Sequence, residues 1–269
     1  MSENRLLPPT RRRLLAGLVS GALATLGGGA RAEPDPALWL HDSDRIRNPP
    51  GSFSVRLQLT EFRQRQPVAA STLVVYARPA DDGGEYRNLV RFVAPARDHG
   101  KLMLRNGQDL WFYDPASRAS VRLSPQQRLL GQASNGDVMT TQLARDYDAR
   151  LAGDERIRDG DGREVAAHRL VLAARRPEVA YPGVDYWLAV DDHRPLMARY
   201  RSAEGRLLKS AWFRRWQPVL GEVRPTETVI IDGLDPGWVT VMQLSEHTLR
   251  EVPVAWLQRD FLPRWKDEP

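Results

Sequence analysis

From Phe53 almost to its end this chain is written in period two, and that constrains its fold more than any other feature. Runs of alternating apolar and polar residues are separated by clusters of Gly, Pro, Asn and Asp, the signature of paired strands and tight turns. Phe53, Val55, Leu57 and Leu59 alternate with Ser52, Ser54, Arg56 and Gln58, as in a half-buried strand. Residues 73–77 make a second strand, Asp81-Asp82-Gly83-Gly84 a hairpin turn, and residues 86–94 run back with Val90 and Phe92 on one face and Arg91 on the other. Leu102 and Leu104, the turn pair Asn106-Gly107, then Leu110 and Phe112 form another hairpin, and Asp114-Pro115-Ala116-Ser117 turns into Val121 and Leu123. Strands resume at 148–157 and 165–173 around Asp159-Gly160-Asp161-Gly162, and continue through 186–190, 196–201, 207–216, 226–231 and 238–244. No strand–helix–strand alternation occurs, so an α/β domain is excluded. The expected fold is all-β dominated with a few helices: one antiparallel meander of roughly ten or eleven strands.

Helical signals are few. Residues 35–46 read as a short helix stopped by Pro49-Pro50. Ser124-Pro125-Gln126-Gln127 reads as an N-cap followed by a first-turn proline and a capping glutamine, which predicts two short amphipathic helices over 125–131 and 136–146. A closing helical segment is expected over 254–262.

The first 32 residues read as an export signal. Thr10-Arg11-Arg12-Arg13 is a basic region, residues 14–26 an apolar run loosened by Gly17 and Gly21, and Ala30-Arg31-Ala32 a small-residue cleavage site. The apolar run is shorter than the ~20 residues that span a bilayer, so cleavage after Ala32 leaves no transmembrane segment in the mature chain. Paired arginines before two leucines resemble a twin-arginine signal; an Arg-rich secretory signal has the same three parts. The mature chain, 33–269, is then one soluble periplasmic domain. The whole chain carries 39 Lys+Arg against 34 Asp+Glu, a net charge of +5. Arg5, Arg11, Arg12, Arg13 and Arg31, against Glu3 alone, supply most of it, so the mature chain is nearly neutral and a nucleic-acid partner is not expected. With no Cys, thiolate metal sites, thiol nucleophiles and disulfides are excluded, and stability must come from a core.

A sheet of this size cannot stay flat: accumulated twist curls it, and an incomplete curl leaves a concave apolar face. The few helices would roof that face without filling it. The residues assigned to the resulting cavity are Val55, Leu57, Leu59, Val90, Phe92, Leu102, Leu104, Leu110, Phe112, Leu130, Met139, Leu143 and Leu188, with Arg105 outward. An apolar cavity without a catalytic group suits an acyl chain. Each methylene costs about 0.8 kcal/mol to hold in water, so a chain of ~12 needs roughly 10 kcal/mol of shelter.

The order of a helix, strands, a helical insertion and a further meander resembles that of the outer-membrane lipoprotein-sorting proteins, built on the fold of LolA and LolB. So do Gly100-Lys101, Tyr113-Asp114-Pro115, residues 186–205 (YWLAVDDHRPLMARYRSAEG) and Pro253-Val254-Ala255-Trp256-Leu257. The resemblance covers nearly all of the mature chain. It implies a half-barrel of about eleven strands with a helical lid, a cavity that binds the acyl chains of lipoproteins or lipids for transport toward the outer membrane, and an inner-membrane transporter as partner.

Competing sites are weaker. His193, in Asp191-Asp192-His193, has the chemistry of a metal ligand, but a polar turn explains it. Asp159-Gly160-Asp161-Gly162 lacks the glutamate that closes a calcium loop and reads as a hairpin. Gly-x-Ser-x-Gly does not occur, so neither enzymatic activity nor a cofactor is expected. Trp111, Phe112, Trp187, Trp212 and Trp216 lie on strands, where cross-strand packing is their ordinary role; Trp256 and Trp265 are expected to seal one end of the barrel. The alternative function is a periplasmic protein–protein or signalling module of the same fold that moves no cargo.

Overall fold

A computed structural model describes residues 35–81 and 85–266; the export signal expected over residues 1–32 and the turn residues 82–84 lie outside them. The chain opens with helix α1 (Pro36–Arg47), capped by the Asp35 carboxylate, which accepts from the Ala37 and Leu38 amides. Strands β1 (Phe53–Arg63), β2 (Gln66–Pro79), β3 (Tyr86–Ala94), β4 (Leu102–Asn106), β5 (Asp109–Asp114) and β6 (Ala119–Arg122) follow as a meander. An insertion over residues 123–146 then holds the two-stranded ribbon β7 (Arg128–Leu130) and β8 (Ala133–Ser134), a 3-10 turn at Asn135–Val138 and the single-turn helix α2 (Leu143–Asp146). The second meander comprises β9 (Tyr147–Arg158), β10 (Glu164–Ala174), β11 (Gly183–Ala189), β12 (Pro195–Arg201), β13 (Leu207–Val219), β14 (Glu222–Asp232) and β15 (Trp238–Leu249).

The meanders join because β1 pairs antiparallel with β15, from Phe53 opposite Leu249 to Arg63 opposite Trp238. The product is one 13-stranded sheet in the order β6-β5-β4-β3-β2-β1-β15-β14-β13-β12-β11-β10-β9. The edge strands β6 and β9 do not pair with each other, so the sheet is an open half-barrel. Edge strand β6 has four residues, and β9 carries a bulge where Gly153, at φ +143, faces Arg169.

Both faces of the β1–β5 half are covered. On the concave face Val55, Val75, Val90, Met103 and Phe112 lie opposite one another across five strands. On the convex face the equivalent row is Tyr76, Leu89, Leu104 and Trp111, buried beneath Val252, Trp256, Leu257 and Leu262 of the C-terminal segment. That segment forms two 3-10 stretches, Val254–Leu257 and Arg259–Arg264, rather than one helix. Helix α1 covers the β10–β13 half of the concave face through Leu40 and Ser43, whose hydroxyl meets that of Tyr186 at 3.1 Å. Its C-terminal carbonyls are held by Arg224, 2% exposed, which donates to Arg45 O at 2.8 Å and Ile46 O at 2.6 Å.

Three expectations are corrected. The sheet has thirteen strands rather than about eleven, one for each of the thirteen strand segments read from the sequence. Of the two mid-chain helices, the first is replaced by the β7–β8 ribbon and the second is reduced to a 3-10 turn and the single turn of α2. Ser124 Oγ accepts from the Gln126 amide, making a turn rather than a helix start, and Gly131 at φ +54 turns β7 into β8. A β-carbon at Gly131 would lie 2.3 Å from Thr240 Oγ1, so only glycine lets the ribbon sit this close to the sheet. Leu102 and Leu104 face the convex side. The tight turn pairs Asn106 with Asp109, which places Leu104 beside Trp111 and Met103 beside Phe112; Leu104 and Phe112 therefore cannot share a face.

Leu104 is fully buried beneath the C-terminal segment. Leu104→Ala is expected to destabilise the protein by about 3 kcal/mol, read from its urea midpoint.

Candidate functional site

Because β6 and β9 lie at opposite edges of the sheet, the insertion that joins them must cross the concave face. Ala133, Val138 and Met139 are buried against that face, with Leu123, Leu129 and Leu130 packed beside them. The expected open hollow is thus largely filled by the insertion's own side chains. Among the described residues the remaining space includes two adjoining cavities of about 110 Å³ each. The first has Ala211, Phe213, Ile230 and Met242 as its floor, Tyr147, Tyr181 and Tyr200 as its wall, and Gly136, Asp137, Met139 and Leu143 of the insertion as its roof. The second lies between Met139 and Phe53, Val55, Leu57, Val75 and Leu244. Each is smaller than the about 150 Å³ cavity that takes up one benzene ring.

The sequence-assigned residues divide three ways. Val55, Leu57, Met139 and Leu143 line these cavities. Leu59, Val90, Phe92, Leu110, Phe112 and Leu130 pack in the same concave cluster without lining a cavity, and Leu188 packs under α1. Leu102 and Leu104 lie on the opposite face, while Arg105, read as outward, lines the first cavity. Sequence reading missed Tyr147, Tyr181, Tyr200, Phe213, Ile230 and Met242. At Phe213 and Ile230 the signal is weak because Trp212 and Ile231 are equally apolar, so period two does not choose a face; Tyr147 and Tyr200, flanked by charged residues on both sides, carry a readable alternation.

The insertion meets the sheet differently at its two kinds of contact. Its floor is apolar against apolar, while polar contacts pin its length. Asn88 accepts from the Thr140 amide at 2.9 Å and donates to Thr140 O at 3.1 Å. Arg47 and Asn48 donate to Thr141 O, and Asp44 accepts from the Ala144 amide at 2.8 Å. Thr240 Oγ1 accepts from the Gln132 amide at 2.8 Å. The Ser134 and Tyr181 hydroxyls meet at 2.9 Å. Lys209 Nζ donates to Gln132 O at 3.1 Å and to the Asp137 carboxylate. Burial pushes the Lys209 ammonium below its ordinary range, partly offset by Asp137. Burial and the Asp137 charge raise the Tyr181 and Tyr200 hydroxyls well above theirs, keeping both protonated.

At the far end of the insertion, Arg176 bridges Asp146 at 2.7 Å and Glu85, and Arg105 pairs with Glu85 at 2.8 Å. Burial and the neighbouring Glu85 charge push Asp146 up to about 6. Burial opposes ionisation of Glu85 as well, but Arg105 and Arg176 outweigh it and hold that carboxyl below its usual value.

Elsewhere, His193 pairs with Asp42 at 2.9 Å, and Trp39 stacks on His168 at 4.0 Å. Asp159 Oδ1 accepts from the Asp161 and Arg163 amides, closing a hairpin turn. Among the described residues no group of three acidic, His or Cys side chains is placed to hold a metal. No helix among them is long and apolar enough to cross a membrane.

The raised Asp146 carboxyl makes a pH prediction. Its folded value lies above its unfolded one, so its contribution to stability is full below about pH 4 and is lost as pH rises through about 6. Relative to Asp146→Asn, the wild-type protein should lose urea resistance across that window; parallel curves would remove Asp146 as the cause.

Comparison with known proteins bears on the whole arrangement. None of the curated proteins matches the chain in sequence. A family model described as that of an uncharacterized protein matches residues 84–264. Among solved structures, a LolA superfamily protein from Nitrosomonas europaea is 29% identical, with a TM-score of 0.76 over 85% of this chain and 99% of its own. A DUF1329 family protein from Desulfovibrio piger is 21% identical, with a TM-score of 0.71 over 85% of this chain and 100% of its own. A putative outer membrane lipoprotein-sorting protein domain from Vibrio parahaemolyticus, 15% identical, reaches 0.68 over 85% of this chain and 96% of its own. The family model spans well over half its length, so the chain belongs to the family that model describes, and its open β-sheet roofed by an insertion has the fold of the LolA superfamily protein.

Proposed function

We propose that this protein is a periplasmic carrier that shelters acyl chains of lipids or lipoproteins on their way to the outer membrane, and that the structure is its closed, empty form. The observation that carries this reading is the make-up of the contact between insertion and concave face. Apolar side chains of the insertion lie on Val55, Leu57, Phe213, Ile230 and Met242, surfaces that an acyl chain satisfies equally well. The latches are single hydrogen bonds and ion pairs, and each hydrogen bond contributes only about 1 kcal/mol net, because water replaces it when it opens. Displacing the insertion thus exchanges one apolar partner for another. The likeness to a lipoprotein-sorting fold, a carrier family rather than a typically enzymatic one, supports the same reading. Under it, the export signal over residues 1–32 delivers the chain to the periplasm, and an inner-membrane transporter loads it.

The absence of cysteine allows a clean test. A β-carbon at Gly136 of the insertion lies 3.2 Å from the Ala180 β-carbon, a few tenths of an ångström closer than a disulfide requires, so a small outward shift lets the two positions bridge. In the double variant Gly136→Cys/Ala180→Cys, oxidation should abolish uptake of a fluorescent acyl probe and reduction should restore it. Equal uptake by both forms would refute an insertion that must lift. Organic extraction of the natively purified protein, followed by mass spectrometry, should release acyl lipid. Consistently empty protein that captures a membrane partner would favour a signalling module instead.

A further inference from the structure

The carrier reading leaves one buried charge unexplained. Lys209 lies on β13 in the inward row Lys209, Ala211, Phe213, whose last two members floor the first cavity. Its side chain is 5% exposed. Its ammonium lies 4.8 Å and 5.2 Å from the ring centres of Tyr181 and Tyr200, which line the same cavity. Its two hydrogen-bond acceptors, Gln132 O and the Asp137 carboxylate, both belong to the insertion. The positive charge is thus fixed to the floor, and its neutralising partner sits on the segment that must leave.

Asp137 itself lines both cavities, so the place its carboxylate occupies is reached from the space an acyl chain would fill. A purely hydrocarbon cargo closing over that place would bury an ammonium without a counter-charge, which is strongly unfavourable. A chain ending in an anion would not. The Tyr200 side chain, at the same wall, carries an O–H that can donate to a second oxygen.

We infer that the cargo is an amphiphile with an anionic head, and that this head takes the place of Asp137 on Lys209. The inference rests on the carrier reading and narrows it. A carboxylate and a phosphate share the required chemistry. An esterified chain whose linkage carries no free anion does not.

The test is displacement of a neutral apolar dye from the full-length protein by hexadecanoate, hexadecyl phosphate and hexadecanol. At least one anionic chain should bind on the order of tenfold or more tightly than the alcohol, and the better of the two identifies the head. Asp137→Asn removes the competing carboxylate and should tighten anion binding while leaving hexadecanol unchanged. Lys209→Met/Asp137→Leu removes both charges and should abolish the preference while the dye still binds. If that double variant does not fold, the wild-type series and Asp137→Asn decide. Equal affinity for all three chains, unaltered by Asp137→Asn, would overturn the anionic head and leave the carrier standing. Failure of every chain to displace the dye would overturn the carrier itself.

Discussion

The pairing of β1 with β15 is the constraint on which the rest of this structure depends. It fuses two meanders into one sheet and consigns β6 and β9 to opposite edges. The chain must still connect those edges, and the segment that does so has no route except across the concave face. The covering of that face is therefore a consequence of connectivity. Without the β1–β15 ladder the two halves would be separate sheets, each with an uncovered apolar side.

Much of this was legible in the sequence where burial is one-sided. In β1, apolar Phe53, Val55, Leu57 and Leu59 alternate with polar neighbours, so period two names both the strand and its face. In β4 the pattern Leu102-Met103-Leu104 is apolar throughout because the C-terminal segment covers one side and the insertion the other; the strand is evident and its face is not. Only the register of the following turn settles it. The insertion misled for a different reason. Ser124-Pro125-Gln126 satisfies the rules of a helix start, but the same side-chain contacts close a turn, and the close approach of Gly131 to Thr240 commits the segment to a ribbon.

The polar groups beneath the insertion were the least legible part of the site. Lys209, Asp137, Asn88 and Thr240 come from four separated stretches and carry no motif among them. They meet only because the sheet brings β3, β13 and β15 to one concave surface. Their placement divides the work of closure. Apolar contacts supply most of the burial but little direction, while the hydrogen bonds of Thr140, Thr141, Gln132 and Ala144 fix where the insertion lies.

The two unpaired margins of the sheet have a further consequence. An unclosed sheet offers rows of free amides and carbonyls to any strand that drifts by, an invitation to stack copy upon copy. Here one margin is only four residues long. The other is interrupted at Gly153 and studded with Asp154, Glu155, Arg156 and Arg158 along its solvent-exposed length. A neighbouring molecule finds too short a template at one border and a kinked, charged one at the other. The fold can thus keep its seam open without zippering into a fibre.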